Sequence, residues 1–563
     1  MPKVYIKGQT SPVNLTQRDY VGEGGEGRVF QKSGTAFKVY FDPKKVIPLG
    51  KMQELSQIHD PRVIKPEKIL TDDKGKSIGY TYKFVKNAWS LCQIFPRAFR
   101  DRNGITFDMV QELVRKMHES VENVHKAGIL IVDLNEMNFL IPKNFGDVMF
   151  IDVDSYQTKS YPATAIMPSV KDWKVKKNHF TTESDWYSFG IVTFQMFTGI
   201  HPYKGRYKKK KMTFEERMQH GISVFNQDVG VPKAAFPFDV IPKGYRDWYE
   251  AVFEKGTRCA PPMDIGAAMV FVPKIVTLTG TQYLDILEIG DYDGDIMDFW
   301  SDGHKLVVAT TKAMYVDKTQ SGKPAKATGA TFTPRGSRPV QVDSSGQSLT
   351  MTDMTLKKNL PFGLAVKEVS YTNGRIYIRT ADRIHEVVFT EAGNNIIPST
   401  KEAAQVLEHA TRLYSGVAIQ NLLGSTYVSL FPESGKSYQI PIKELDGYRI
   451  VDAKFEGGVL MVVGQKAGKY DRLIFRFDLK DQTYDVREVE DIQPTGLNFV
   501  TLDSGICVSI TEDEKMEAFS VRKNSSSIKV IDDPVVGGDM KLGKHTGAVV
   551  VAKGNKMYKV KMK

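Results

Sequence analysis

Ile131-Val132-Asp133-Leu134-Asn135-Glu136-Met137-Asn138-Phe139-Leu140, followed by Phe150-Ile151-Asp152-Val153-Asp154, decides how the first half of this chain is read. A carboxylate at Asp133 can accept a hydroxyl proton, and the amide oxygen of Asn138, five positions on, can bind a metal ion. Asp152 closes an apolar strand, and hard Mg²⁺ prefers oxygen ligands of that kind. An Asp in a turn after a strand is by itself ordinary turn chemistry. The order and spacing of Asp133, Asn138 and Asp152 set them apart.

Working outward, the segment before this stretch predicts a helix from about Thr106 to His125. Phe107, Val110, Leu113, Val114, Met117, Val121 and Val124 recur at spacings of three and four, one buried face, and Ala127-Gly128 ends it. His118 and His125 sit on that helix with no evident partner and read as ordinary helix residues. Further upstream, Gly22-Glu23-Gly24-Gly25-Glu26-Gly27-Arg28-Val29 matches G-x-G-x-x-G-x-V, a hairpin whose glycines let backbone approach phosphates. Ala36-Phe37-Lys38-Val39 then reads as a strand with one lysine among apolar neighbours. A buried ammonium is costly unless paired, and phosphate oxygens would pair it. Downstream, a second helix begins near Asp185, carries Trp186, Phe189, Val192, Met196 and Phe197, and stops at Thr198-Gly199 with Pro202 just beyond.

Together these segments resemble the protein-kinase superfamily over about residues 15–275, close to half the chain. Within it they look like divergent bacterial and phage kinases related to the tellurium-resistance-associated and helix-hairpin-helix kinases. The resembling text is Val132 to Leu140, Ile151-Asp152-Val153-Asp154-Ser155-Tyr156-Gln157, Ser184-Asp185-Trp186-Tyr187-Ser188-Phe189-Gly190, and Gly199-Ile200-His201-Pro202. The resemblance implies an α+β bilobal protein-kinase-like domain over residues 1–275 that binds ATP and Mg²⁺ and transfers the γ-phosphate to a Ser or Thr hydroxyl. It implies that Gly22, Gly24 and Gly27 cover the phosphates and Lys38 holds them. Asp133 is then the catalytic base, Asn138 and Asp152 are the metal ligands, and Asp185 anchors the catalytic loop.

Departures from the pattern are equally specific. Ile131-Val132 replaces His-Arg before the catalytic Asp, so a phosphorylated activation loop has no evident partner. Asn135 replaces a lysine that would touch the γ-phosphate, and Asp154 replaces a glycine. The Ala-Pro-Glu that ends the activation segment is at best Met167-Pro168-Ser169. An ungapped reading against His59-Asp60-Pro61 places Lys51 where a helix glutamate should pair with Lys38; Glu54, one turn later, is the candidate.

After residue 275 helical patterns give way to short strands between Gly, Asp and Asn turns, such as Arg375–Arg379, Val459–Val463 and Gly547–Val551. A turn, a strand, a gap and a second strand return every ~40–55 residues, the scale of a propeller blade. Residues 276–563 therefore read as an all-β domain, a β-propeller of about six blades with five or seven as variants, and with a pair of two-sheet sandwiches as the alternative. Asp291-Tyr292-Asp293-Gly294-Asp295 resembles a calcium loop but lacks its closing glutamate, and reads as a turn between blades.

Composition bounds the rest. The 563 residues carry a formal net charge of +11, all of the excess in the first half and part of it in Lys208-Lys209-Lys210-Lys211. That run reads as a solvated loop and leaves nucleic acid an unfavoured partner. Three scattered cysteines show no metal-ligand spacing and fit a reducing, cytoplasmic compartment. No stretch has the length of a membrane span. The expected function is a Ser/Thr protein kinase whose propeller recruits a protein substrate or partner. The alternatives are a pseudokinase serving as a nucleotide-responsive interaction platform, and a small-molecule kinase.

Overall fold

Strand patterns near the N-terminus assemble into one antiparallel sheet in the computed structural model, which describes residues 3–563 apart from 164, 177–178, 267–276, 325–327, 346, 373 and 495. Its strands are β1 (Lys3–Ile6), β2 (Val13–Asn14), β3 (Tyr20–Glu23), β4 (Gly27–Lys32), β5 (Thr35–Tyr40), β6 (Lys68–Thr71) and β7 (Ser77–Lys83), in the order β2-β1-β6-β7-β5-β4-β3. The glycine-rich stretch is the β3–β4 hairpin, and Val29 on β4 lies opposite Lys38 on β5. Helix α1 (Leu49–Leu55) packs beside the sheet through Lys51, Met52 and Leu55.

A second, mainly helical layer follows: α2 (Arg97–Asn103), α3 (Phe107–Lys126), α4 (Thr182–Thr198), α5 (Phe214–His220) and α6 (Lys243–Phe253). Helix α3 buries the apolar stripe that its periodicity predicts. Helix α4 starts at Thr182, three residues ahead of Asp185 where its apolar pattern begins, because Thr181 and Ser184 form a capping box. Every α4 residue from Ser184 to Thr198 is buried, so this helix is the axis of the layer rather than a surface helix. Between α3 and α4 lie two short strands, β9 (Phe139–Pro142) and β10 (Met149–Phe150), which join β8 (Ala88–Ser90), from before α2, in the order β10-β9-β8. The β9–β10 hairpin brings residues 138 and 151 together, with the Ile151 N–H donating to the Asn138 carbonyl at 2.9 Å.

Among the described residues the second half is all-β and forms seven four-stranded antiparallel sheets, one more than the central expectation of six. Their first strands are Ile296–Ser301 (sheet I), Thr328–Phe332 (II), Glu368–Thr372 (III), Thr411–Tyr414 (IV), Arg449–Glu456 (V), Phe499–Thr501 (VI) and Lys541–His545 (VII). Sheets I to VI each use four consecutive strands. Sheet VII has three, and Leu284–Asp291, from the start of the half, pairs with Lys556–Met562 as its fourth. Neighbouring sheets touch in succession. The Ser370 hydroxyl donates to the Tyr414 carbonyl at 2.6 Å, the Phe455 N–H to Ser415 at 2.8 Å, the Thr501 N–H to Glu456 at 2.8 Å and the Leu542 N–H to Asn498 at 2.9 Å. Ser301 of sheet I meets His545 of sheet VII at 2.8 Å. The Asp291–Asp295 stretch is the turn into sheet I, with Asp293 on Lys312 at 2.6 Å and Asp291 on Asn555 at 2.7 Å.

The expected boundary at residues 275 and 276 lies outside the described residues. The two halves share apolar packing: Val451, Val463, Tyr470 and Ile492 belong to the same core cluster as Leu134, Met137 and Phe189. Among the described residues, no helix is long and apolar enough to cross a membrane.

Candidate functional site

Lys38 enters the site from the middle of β5 and is buried. Its Nζ lies 2.9 Å from Asp152 Oδ1 and 2.8 Å from Asp154 Oδ2. Burial alone would lower the lysine's proton affinity. The Asp154 and Asp152 carboxylates outweigh that and hold its pKa well above the ordinary value. Asp154 is itself fully enclosed. Burial opposes its charge, but Lys38 and the Tyr40 hydroxyl, which donates to the same oxygen, hold its pKa below the usual carboxylate range.

The expected Lys38–Glu54 pair is not formed. Glu54 accepts the Ser160 N–H at 3.1 Å and faces the segment after Asp154. In its place α1 offers Lys51, whose Nζ donates to the Asp154 carbonyl at 2.7 Å. The physical reason is charge: Asp154, where the family pattern has a glycine, already supplies the carboxylate that Lys38 needs. A glutamate at 51 would add a second buried anion.

Asp152 adopts φ 61° and ψ 33°, left-handed for a residue with a Cβ. Its side chain is 46% exposed while still reaching Lys38. Asn138 donates Nδ2–H to the Asp133 carbonyl at 2.9 Å, which directs its Oδ1 away from that bond. Asp133 accepts the Met167 N–H on Oδ1 at 2.8 Å. Burial raises its pKa against that hydrogen bond, and the nearby Asp152 charge adds to the rise. The oxygens of Asp152 and Asn138 are hard donors of the type that Mg²⁺ takes, so the residues present fit that ion.

The glycines divide by role. Gly22 and Gly24 have open space where a Cβ would project, as close approach of a ligand requires. At Gly27 a Cβ would collide with the Val39 carbonyl, so this glycine serves the β4–β5 contact next to Lys38.

The loop carrying Asp133 is anchored from below by Asp185, which is fully buried. Its two oxygens accept the Ile131 and Val132 N–H groups, each at 2.8 Å. Val132, at the position of the missing arginine, holds φ 65°, a strained conformation for a β-branched residue. His125, read from sequence as partnerless, braces the same carboxylate through Nε2 at 2.9 Å, and His118 meets the Tyr245 hydroxyl at 3.1 Å. These pairings span some 50 to 130 positions and leave no local spacing signal.

The end of the activation segment is also built differently from the expectation at Met167-Pro168-Ser169. Asp172 pairs bidentately with Arg258, at 2.5 and 2.9 Å, and is nearly fully buried. Asp172→Ala leaves that guanidinium largely buried without its carboxylate. It is expected to cost about 3 kcal/mol, read as a fall in urea midpoint at unchanged slope.

His201 secures the same segment, donating Nε2–H to the Ser169 carbonyl at 2.8 Å and accepting the Tyr203 N–H on Nδ1 at 3.2 Å. Burial pushes its pKa down to about 3. The neutral imidazole belongs to the folded state, whereas the unfolded one takes a proton near ~6.5. Its contribution is complete above that pH and falls as pH drops from there toward 3. Urea midpoints should therefore fall from pH 7 to pH 5, and His201→Gln should flatten that slope.

Residues 17–236 match the family model of the protein kinase domain. This supports a place for the segment in the protein-kinase superfamily. Ribosomal protein S6 kinase alpha-3 of Mus musculus and of Homo sapiens is 26% identical over 112 residues, 19% of this chain and 15% of the relative. Ribosomal protein S6 kinase alpha-1 of Rattus norvegicus is 25% identical over 111 residues, with the same shares. The kinase-like chain thus spans 15% of the length of these curated relatives.

Proposed function

We propose that the chain is an ATP- and Mg²⁺-dependent phosphotransferase acting on Ser or Thr hydroxyls of a protein. The observation that supports this reading is the contact set of Lys38 Nζ with Asp152 Oδ1 at 2.9 Å and of Asn138 Nδ2 with the Asp133 carbonyl at 2.9 Å. Asp152 and Asn138 would hold Mg²⁺, which when bound neutralises charge on the phosphates. Gly22 and Gly24 give the β3–β4 hairpin room to lie over them, and Lys38 supplies the fixed positive charge. Asp133, held by the Met167 N–H on Oδ1, accepts the hydroxyl proton on Oδ2, where Asn138 Nδ2–H makes only a long contact at 3.4 Å. Its pKa is raised by burial, so the acid limb of the rate profile should sit above the ~3.9 of a free aspartate, with activity lost as pH falls through it.

We further propose that the seven sheets are the blades of a propeller that recruits the substrate or a partner. The succession of inter-sheet contacts from I to VII supports it, as does the pairing of Leu284–Asp291 with the last strand of the chain. Phosphoamino-acid analysis of proteins labelled by the full chain tests the acceptor class: phosphoserine or phosphothreonine is expected. Label confined to small alcohols or amino sugars would replace this reading with a small-molecule kinase.

One observation favours an interaction platform as a second reading. Asp154 already satisfies Lys38, so its charge can serve the fold without nucleotide. Partner capture that survives loss of both Asp133 and Asp152, in a chain that transfers no phosphate, would support it.

A further inference from the structure

The loop between Asp133 and Asn138 is gripped from outside the segment that matches the kinase domain. Tyr470, on the third strand of sheet V (Lys469–Asp478), donates its hydroxyl to Glu136 Oε1 at 2.5 Å, and both residues are buried. The other oxygen, Glu136 Oε2, is buried with no hydrogen-bond partner, so this hydroxyl is the donor that the side chain depends on. Arg449, on the first strand of the same sheet, donates Nη1–H to the Met137 carbonyl at 3.1 Å. The tip of the sheet V hairpin meets the other side of Asp133. Gly468 packs on Met167, where a Cβ would come within 3.0 Å of Met167 Cγ, and Met167 is the residue whose N–H holds the Asp133 carboxylate.

Sheet V thus touches the segments on both sides of Asp133. We infer that sheet V is the brace that positions this loop, with Tyr470 as a positioning residue acting through Glu136 on the placement of Asp133 and Asn138. A buried carboxyl that loses its donor must find another or reach water. Glu136 can do so if the short turn Glu136–Asn138 moves, which lengthens the 2.9 Å bond from Asn138 to the Asp133 carbonyl. A misplacement of ~1 Å in a catalytic group is enough to cost on the order of 100-fold in rate. The effect on rate rests on the phosphotransferase reading; the effect on loop order does not.

The test uses the full chain with Tyr470→Phe, which keeps the ring and removes the donor. Amide hydrogen exchange is followed in peptides covering 131–140 and in α4 as an internal reference. The expected result is at least tenfold faster exchange in the loop with α4 unchanged, and a kcat at least tenfold lower with the KM for ATP within threefold. Glu136→Leu should reproduce the loop effect, and adding Tyr470→Phe to it should change nothing further. Loop exchange equal to wild type in Tyr470→Phe overturns the inference, because exchange is read without turnover. A wild type that transfers no phosphate, but whose loop loosens in the variant, would remove the phosphotransferase reading and leave the brace standing. If Tyr470→Phe does not fold, Arg449→Gln takes its place: faster loop exchange supports the brace, and unchanged exchange overturns it.

Discussion

Asp133→Ala is expected to lower phosphoryl transfer by about 100- to 10,000-fold, the range attributed to a positioned general base. Nucleotide binding should stay within a few-fold of wild type. Asp133 touches the Met167 N–H and Asn138, whereas Lys38 makes its ion pairs with Asp152 and Asp154. The variant therefore removes the proton acceptor and leaves the phosphate-facing charges in place. Initial rates and Mg²⁺-dependent nucleotide titration on the same preparation separate the two effects. A variant that loses binding in proportion to rate would place Asp133 among the binding groups instead.

Asp154→Ala should produce the largest loss of stability among the substitutions considered. It deletes a fully enclosed carboxylate that accepts from Lys38 at 2.8 Å and from the Tyr40 hydroxyl. Lys38 is then left buried with only the half-exposed Asp152 as counter-charge. Removing one partner of a buried pair costs about 3–5 kcal/mol, because the other charge stays desolvated. The pH dependence is a further check. Asp154 has a depressed pKa, so its contribution is lost only as pH falls below the ordinary aspartate range. Lys38 has a raised pKa, so its contribution is lost only as pH rises past the ordinary lysine range. Between about pH 5 and 9 the deficit of the variant should be flat, in contrast to the sloping effect of His201→Gln. Urea midpoints across that window measure both.

The parts of this site that could be read from sequence are those set by short-range spacing. The D-x-x-x-x-N loop, the strand that ends at Asp152 and the periodic stripe of α3 each occupy fewer than about twenty residues. In the structure Lys38 pairs with Asp152, and Asn138 bonds the Asp133 carbonyl. The features that escaped notice are long-range pairings. Asp172 and Arg258 are 86 positions apart, His125 and Asp185 are 60 apart, and Tyr470 and Glu136 are 334 apart. Helical register points to Glu54 as the partner of Lys38, but the competing carboxylate of Asp154 arrives from another element. The count of β-sheets fell one short for a related reason. Strands such as Met314–Val316 and Lys358–Leu360 are three residues long, too short to show an alternating pattern. The fourth strand of sheet VII, Leu284–Asp291, also comes from the far end of the half, where no local repeat reveals it.

The departures from the kinase pattern share one physical logic. Lys51 stands in for the helix glutamate, Asp154 for a glycine, and Val132 for the loop arginine. The charge needed near Lys38 has moved into Asp154, and support for the loop comes from Asp185 beneath and sheet V alongside.

The most direct measurement is ADP release from ATP by the purified full chain, with Mg²⁺ and with a chelator, read together with intact mass and beside Asp133→Ala. The account predicts Mg²⁺-dependent ADP production and added phosphate mass well above the level of the variant. Production equal in wild type and Asp133→Ala, or none from a wild type saturated with Mg²⁺ and nucleotide and supplied with protein acceptors, would contradict it.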